Sequence, residues 1–441
     1  MPRGSSDIPI LRLEVLQGFM ESFMAPPNLL LMNMFPSTTS PSSTVRWESV
    51  RGGRGMTPFV APGTPAPVTS PHGVAQHVAE AAYWKEKMPF DEEFLNNLRQ
   101  PGTDAVYQSA EQKLARELAG LKNRALRRKE WMFAQMLCNN GFSYQVKGGY
   151  RASVDYGIPT DHRVTLGSAY NWNNGGSKDI LADIRDAKIA IQRDCGGYID
   201  YAIFNSNVLK YLAADTTIRD ILKRQNYMVG EGNLYGGNLH NLIAVNPKVI
   251  GALLDIPNFI VYDEMYEVRA WLTAAVTAAS TTWISVDDPS DFEVDQTIRF
   301  WDVSAGTYED RTVIGQNIEN GTLQLNYPPA SSYKAGEDYV TQAKPFIPDD
   351  KFIMFASKVD NQSIAEYKEA PFGLNRQYGQ FTDSYDEWDP EVTWIRCQDK
   401  GLPILYNRDA IYTLDVVTTT HQAETSTTTT SSSSSTTTTT A

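Results

Sequence analysis

Apolar and polar positions alternate along this chain with several distinct periods, and the helical period is the strongest. From Thr103 to Cys138 there is no proline, and most residues are strong helix formers. Leu114, Leu118, Leu121 and Ala125 fall on one stripe, continued by Met132 and Met136. The spacing predicts a helix over 103–138, with Asp104 as N-cap and "NNG" at 139–141 as its stop. At 1.5 Å per residue it spans about 50 Å, long for an ordinary domain. Upstream, Leu13, Leu16, Met20 and Phe23 recur at helical spacing and predict an amphipathic helix or docking arm.

Downstream the period changes repeatedly. "SYQVKGGYRASVDYGI" reads as a hairpin turning at Gly148-Gly149. "SKDILADIRDAKIAIQRD" reads as an amphipathic helix and "YIDYAIFN" as a buried strand. "SNVLKYLAAD", "TIRDILKRQN" and "NPKVIGALLD" read as short helices, and "NFIVYDE" as another strand. This mixture predicts an α+β or α/β core. From about 268 to 343 every strong segment is strand-like ("TTWISV", "QTIRFWDV", "DRTVIGQ", "TLQLNY"), which predicts a small β-barrel or sandwich. Core-like sequence resumes at "PFIPDDKFIMFAS", so this module is inserted in the core. "VTWIRCQDKGLPILYNRDAIYTLDVV" predicts three closing strands, and the Ser/Thr tail from Thr418 is expected to be disordered.

One stretch fits neither period. From Pro36 to about Pro71 the chain is rich in Ser, Thr, Pro and Gly, with a single strand-like run, "STVRWESV", before "RGGRGMTPFVAPGTPAP". Such a segment inside a globular chain is either disordered or functional.

Composition narrows the function. The chain has 441 residues, 41% hydrophobic and 11% aromatic, with a formal net charge of −13. That suits globular domains and disfavours a dedicated nucleic-acid binder, which needs many uncompensated cations. The three cysteines, Cys138, Cys195 and Cys397, form no CxxC pair, so neither a disulfide framework nor a zinc site is indicated. The N-terminal apolar run is interrupted by Arg12, Glu14 and Glu21 and reads as neither signal peptide nor membrane span.

Candidate chemistry is thin. "GEGNLYGG" (230–237) departs from GxGxxG and reads as a loop, and the five histidines lack metal-ligand spacing. The acidic loop "DSYDEWDPE" (Asp383, Asp386, Glu387, Asp389) reads as a solvated loop or a subunit contact rather than a catalytic pair. "KNRALRRKE" puts Arg124, Arg127, Arg128 and Lys129 on the long helix, as a solvated face, an ion-pair partner for a neighbouring subunit or a patch touching nucleic acid. No catalytic residue, cofactor or metal is expected.

The order of segments resembles the lambda-type (E family) tailed-bacteriophage major capsid proteins. The resemblance is carried by "FPSTTSPSSTVRWESVRGGRGMTPFVAPGTPAPVTS", "EEFLNNLRQPGTDAVYQSAEQKLARELAG", "YIDYAIFNSNVLKYLAADTTIRDIL", "NFIVYDEMY", "KPFIPDDKFIMFAS" and "LPILYNRDAIYTLDV", and covers most of residues 28–417. It implies the Hong Kong 97-type fold, in which a strand pair rises to an RGG-like tip. The implied divisions are an N-terminal arm (1–35), an extended E-loop (36–75) and a peripheral domain (76–179) with the spine helix at 103–138. An axial domain follows (180–267), then the inserted β domain (268–343), a second axial and peripheral part (344–417) and the tail (418–441). The family pattern as read here has only a short hairpin where 268–343 stands.

The function so implied is a non-enzymatic subunit that self-assembles as hexamers and pentamers into an icosahedral head around double-stranded DNA, located in the virion and assembled in the host cytoplasm. Its expected partners are further copies of itself, scaffold, portal and decoration proteins, and DNA through weak non-specific contact, with no membrane. Arg46, Trp47, Arg51, Arg54 and Phe59 are the expected inter-subunit contacts of the E-loop. Other readings are a decoration or minor shell protein, a carbohydrate-active enzyme using Asp383 with Asp386 or Glu387, and an RNA binder acting through the RGG segment.

Overall fold

The computed structural model describes residues 28–50, 56–66, 74–91, 104–145, 151–174, 177–224, 247–388 and 391–417, with the single positions 16, 18, 23, 26 and 68. Arg51, Arg54, Asp389, the 148–149 turn, the 230–237 loop, most of the N-terminal arm and the Ser/Thr tail lie outside them. The described residues form two compact units, the second of which is Val268–Gln342.

The long helix of the first unit is Asp104–Asn139, 36 residues, about 54 Å at the standard rise. Its stripe serves two cores in succession. Leu114, Leu118, Leu121 and Ala125 pack with Phe90, Ile395 and Cys397, and further along Leu126, Phe133 and Leu137 join the main core. This continuity of apolar positions holds the helix regular over so many turns.

Against the helix lies a five-stranded sheet built on the strand Glu391–Leu405. Over residues 392–398 this strand is flanked by both Ala82–Asp91 and Phe381–Trp388. Its end pairs with Ala365–Glu369, which in turn takes Ser37–Thr39 as a parallel neighbour. Where three closing strands are expected there are two: Glu391–Leu405 runs unbroken through "QDKG", and the 3-10 turn Arg408–Ala410 precedes Ile411–Asp415. Gly401 is there for space. Its residue pairs with both Ala82 and Glu369, and a Cβ on it would come 2.3 Å from the Tyr367 hydroxyl.

A second five-stranded sheet runs in the order Arg163–Thr165, Ile411–Asp415, Lys351–Phe355, Tyr201–Phe204, Asn258–Val261. Phe352, Ile353, Met354 and Phe355 are all fully buried, the unbroken apolar run of a strand covered on both faces. The helix Ile180–Asp194 buries Ile180, Ile184, Ala187 and Ile191, and the Asp179 carboxylate accepts from the Ala182 N–H at 3.0 Å to start it. Among the described residues no helix is long and apolar enough to cross a membrane.

The second unit is a six-stranded sheet in the order Met265–Trp271, Tyr339–Pro345, Thr297–Asp302, Thr307–Asn317, Thr322–Leu325, Trp283–Ser285. Its first and last strands meet at the antiparallel bridge Leu272↔Val286, with the Thr273 N–H donating to the Ser285 carbonyl at 3.0 Å. The sheet therefore closes into a barrel. Its core includes Ala270, Ile284, Ile298, Phe300, Leu323 and Val340, a cluster separate from that of the first unit.

Candidate functional site

The segment that fits no periodicity becomes a two-stranded ribbon. Thr44–Val50 pairs with Val74–Glu80 in antiparallel register from Thr44↔Glu80 to Val50↔Val74. The two-residue period sends Val45, Trp47 and Ser49 to one face, where they are buried, and Arg46 and Glu48 to the other, where they are exposed. Arg46 has no ion-pair partner among the described residues.

The root of the ribbon is tied to the first unit. Trp47 is 6% exposed and stacks on its cross-strand partner His77, with ring centroids 5.1 Å apart. The Tyr156 ring lies 6.3 Å from Trp47, and the Tyr144 hydroxyl donates to the Glu80 carbonyl. A hydrogen bond of 2.8 Å joins Ser49 Oγ to His77 Nε2. Burial, and then the Arg408 guanidinium, push the His77 imidazole below its ordinary pKa, against the opposing pull of Asp155. Trp47, expected among the inter-subunit contacts, is thus a core residue of its own subunit, because the ribbon's inward face lands on Tyr156.

The far part has no such support. Met56 is 91% exposed, Phe59 105% and Val68 99%, and every described position from 56 to 68 is exposed. Within it the chain makes one tight turn. The Thr64 N–H donates to the Ala61 carbonyl at 3.1 Å, and Gly63, with φ +90°, follows Pro62. Those are the residues a type II turn requires at its two central positions.

The basic residues of the long helix divide. Arg124 pairs with Glu86 at 2.7 Å, and Lys129 reaches the buried Asp399 at 2.8 Å beneath the Tyr367 ring. Arg128 lies 5.1 Å over the Trp131 ring, and Arg127 is exposed. The four therefore do not form a single face, since Arg124 and Lys129 are used inside the chain.

The acidic segment is a strand, not a loop. Its residues pair across the sheet, and each described carboxylate finds a donor on the neighbouring strand. Asp383 is buried and takes a forked ion pair from Arg396, with Nε at 2.9 Å from Oδ1. The exposed Asp386 accepts from Thr393 Oγ1 at 2.8 Å, and Glu387 accepts from Trp394 Nε1 at 2.7 Å. With each carboxylate engaged by its own neighbour, no pair faces a shared position where a substrate would sit.

Two sites escape the sequence reading. Glu130, fully buried on the long helix, accepts the N–H groups of Leu31 and Met32, each at 2.8 Å, and the Tyr262 hydroxyl at 2.5 Å. It thereby fastens the short helix Leu31–Met34 to the long one. Burial pushes its carboxyl up while these donors pull it down. The signal was an acid on the apolar stripe Leu126, Glu130, Phe133, Leu137.

The other is a knot at the end of the helix Ile180–Asp194. Buried His162 places Nδ1 3.1 Å from the Ile411 carbonyl and Nε2 2.9 Å from Asp194 Oδ2. Ligand atoms of Asp161, His162 and Asp194 lie within 4.8 Å of one another, a spacing a metal ion would accept. Arg193 already supplies the cation, bonding Asp194 at 2.8 and 2.9 Å. Its hydrogen bond holds the Asp194 carboxyl down at about 2, with burial opposing and His162 assisting.

The sequence profile of the phage major capsid protein E family matches residues 15–285 and 302–416, so the unmatched residues within the second unit are 286–301. That departure is much narrower than the 268–343 expected. No curated protein sequence matches the chain. Solved structures similar to it include a prophage protein of Escherichia coli CFT073, 11% identical, with 92% of this chain and 99% of that one covered at a TM-score of 0.49. A phage-related protein from Bordetella bronchiseptica RB50 is 9% identical, with 94% and 98% covered at 0.47. The capsid of Staphylococcus phage Andhra is 9% identical, with 90% and 86% covered at 0.42. None of these reaches a TM-score of 0.5, and the assignment rests on the family profile. With the loop 56–68 exposed and the acidic strand's described carboxylates each engaged by a neighbour, the family profile over most of its length is decisive: the chain belongs to the phage major capsid protein E family and is a phage shell protein.

Proposed function

We propose that copies of this chain assemble as hexamers and pentamers into an icosahedral head around double-stranded DNA, in the manner of the Hong Kong 97-type fold. In this reading residues 36–75 are the extended E-loop, the long helix is the spine, and the barrel Val268–Gln342, of which only 286–301 departs from the family profile, is displayed outside the shell or reinforces contacts between capsomers. The observation that carries it is the exposed loop Met56–Val68. Met56, Phe59 and Val68 are covered by no apolar surface among the described residues, and exposed apolar clusters mark contact sites. A neighbouring copy is the cover every subunit of a closed shell has available. Arg46, Arg51 and Arg54 then pair with acidic groups on that neighbour, flanking Phe59. Arg127 and Arg128 are outward cations available to a neighbour or to DNA. The net charge of −13 keeps DNA contact weak enough for the genome to leave.

Negative-stain microscopy of the expressed chain tests the reading, with shells, tubes or hexamers expected. A well-behaved monomer contradicts it. The double variant Arg51→Ala/Arg54→Ala is expected to lose shells while keeping the wild-type circular dichroism and melting curve. Normal shells from it would remove the arginines from the contact.

A further inference from the structure

The second unit carries a row of aromatic rings on the outside of its barrel. On the strand Thr297–Asp302, Ile298 and Phe300 are buried in the barrel core, so the two-residue period turns Arg299 and Trp301 outward. Trp301 is paired with Tyr308 on one neighbouring strand and Tyr339 on the other. The ring centroids stand 5.2 and 6.3 Å from Trp301. Trp271, 5.2 Å from Tyr339, extends the row across a fourth strand. Trp271 and Tyr308 at its two ends keep 40% and 55% of their surface exposed.

Polar groups fix these rings from an adjacent row. Arg299 forks the Asp310 carboxylate at 2.8 and 3.0 Å and lies 4.1 Å over Tyr308. Arg269 lies 4.4 Å over Tyr339, and Trp301 Nε1 donates to Thr341 Oγ1 at 3.1 Å. The rings are therefore held in place before anything binds, which lowers the ordering cost of binding. Ordered aromatic rings with an arginine border are the composition of an interface centre.

We infer that this row receives the loop Met56–Val68 of a second copy of the chain. The inference rests on the reading of residues 36–75 as an inter-subunit loop and names where that loop lands. Backbone chemistry restricts how the loop can bind. Pro58, Pro62, Pro65 and Pro67 have no N–H to offer, so the loop is a poor added strand and must dock through its side chains. Proline-rich segments bind aromatic surfaces in this way. The barrel matches that need, because its sheet has closed and it offers rings in place of an open edge. The turn at Ala61–Thr64 is already formed, which presents Phe59 at little further entropic cost.

Charge favours the same pairing. Residues 51–73 contain two arginines and no carboxylate, whereas residues 268–342 contain eleven carboxylates and four cations. Opposite signs steer the two together. The same excess of carboxylates disfavours a nucleic acid or other polyanion on the row.

The test places photoreactive benzoylphenylalanine at position 59 of the full chain, irradiates the assembled shells and maps adducts by mass spectrometry. Inter-copy adducts are expected on 265–271, 297–317 and 339–345, reduced at least tenfold by Trp301→Ala and by Tyr308→Ser. Shells that form normally but carry adducts only on the first unit, such as the helix Asp104–Asn139, overturn the inference and leave the shell reading intact. If the chain forms no shells, the shell reading fails separately, and a synthetic peptide of residues 51–70 added to the unassembled chain decides the docking. A shift in tryptophan fluorescence with the wild type that Trp301→Ala abolishes supports it, and no shift overturns it.

Discussion

The two ends of the ribbon are built on opposite principles. At the root, Trp47 stacks on His77 against Tyr156 and is almost fully covered by its own subunit. At the tip, Phe59 is as exposed as a side chain in an extended chain. The residues are alike in kind, both large and aromatic, so chemistry does not separate them. Position does. Trp47 lies on a paired strand within reach of the first unit's core, whereas Phe59 lies in a loop whose every described position is exposed. In the shell reading proposed above, the buried aromatic serves the stability of the subunit and the exposed one its assembly.

That contrast can be broken from the root first. Trp47→Ala removes a buried indole and is expected to cost about 3–5 kcal/mol of subunit stability, read as a lowered denaturant midpoint. Retention of the wild-type midpoint would mean that the root is not anchored. Gly401→Ala is next. Its Cβ meets the buried Tyr367 ring, with an expected loss of about 1–3 kcal/mol by the same measurement. Tyr367→Phe in the same background should recover part of it, since the hydroxyl is the nearest atom.

A smaller effect comes from pH. The Asp194 carboxyl, held at about 2 by Arg193, keeps its contribution above the ordinary carboxylate pKa and loses it as pH falls toward 2. Asp194→Asn should flatten the acid limb of the stability curve between about pH 5 and pH 2. An unchanged limb would mean that other groups carry it. The smallest effect on the subunit belongs to the tip. Phe59→Ser should leave stability within about 0.5 kcal/mol, yet reduce shell yield on sizing chromatography. A variant that loses stability and keeps shells would invert the comparison.

How much of this was legible depended on where each residue's partner lies. The long helix could be read because its stripe is local, but Glu130 was missed because its partners Leu31, Met32 and Tyr262 lie far along the chain. The strand Ala82–Asp91 was hard to see, since it carries Pro89 and alternating charges and takes its partner from residues 392–401, far along the chain. The acidic residues Asp383, Asp386 and Glu387 read as a loop for the same reason, because the Arg396 ion pair and the Thr393 and Trp394 hydrogen bonds form only with the sheet. The number of closing strands was misjudged because a glycine such as Gly401 serves turns and close approach equally well, and only its contact with Tyr367 distinguishes the two. Trp47 and Phe59 were indistinguishable in sequence, since what separates them is the distance to a core.

Hydrogen exchange across the described loop residues, compared between assembled shells and unassembled subunits, tests most directly whether the tip is completed by another copy. The expected result is slowed exchange of the non-proline amides between Met56 and Val68 on assembly, with the ribbon root at Thr44–Ser49 equally protected in both states. Equal, fast exchange of the tip in both states would contradict the account.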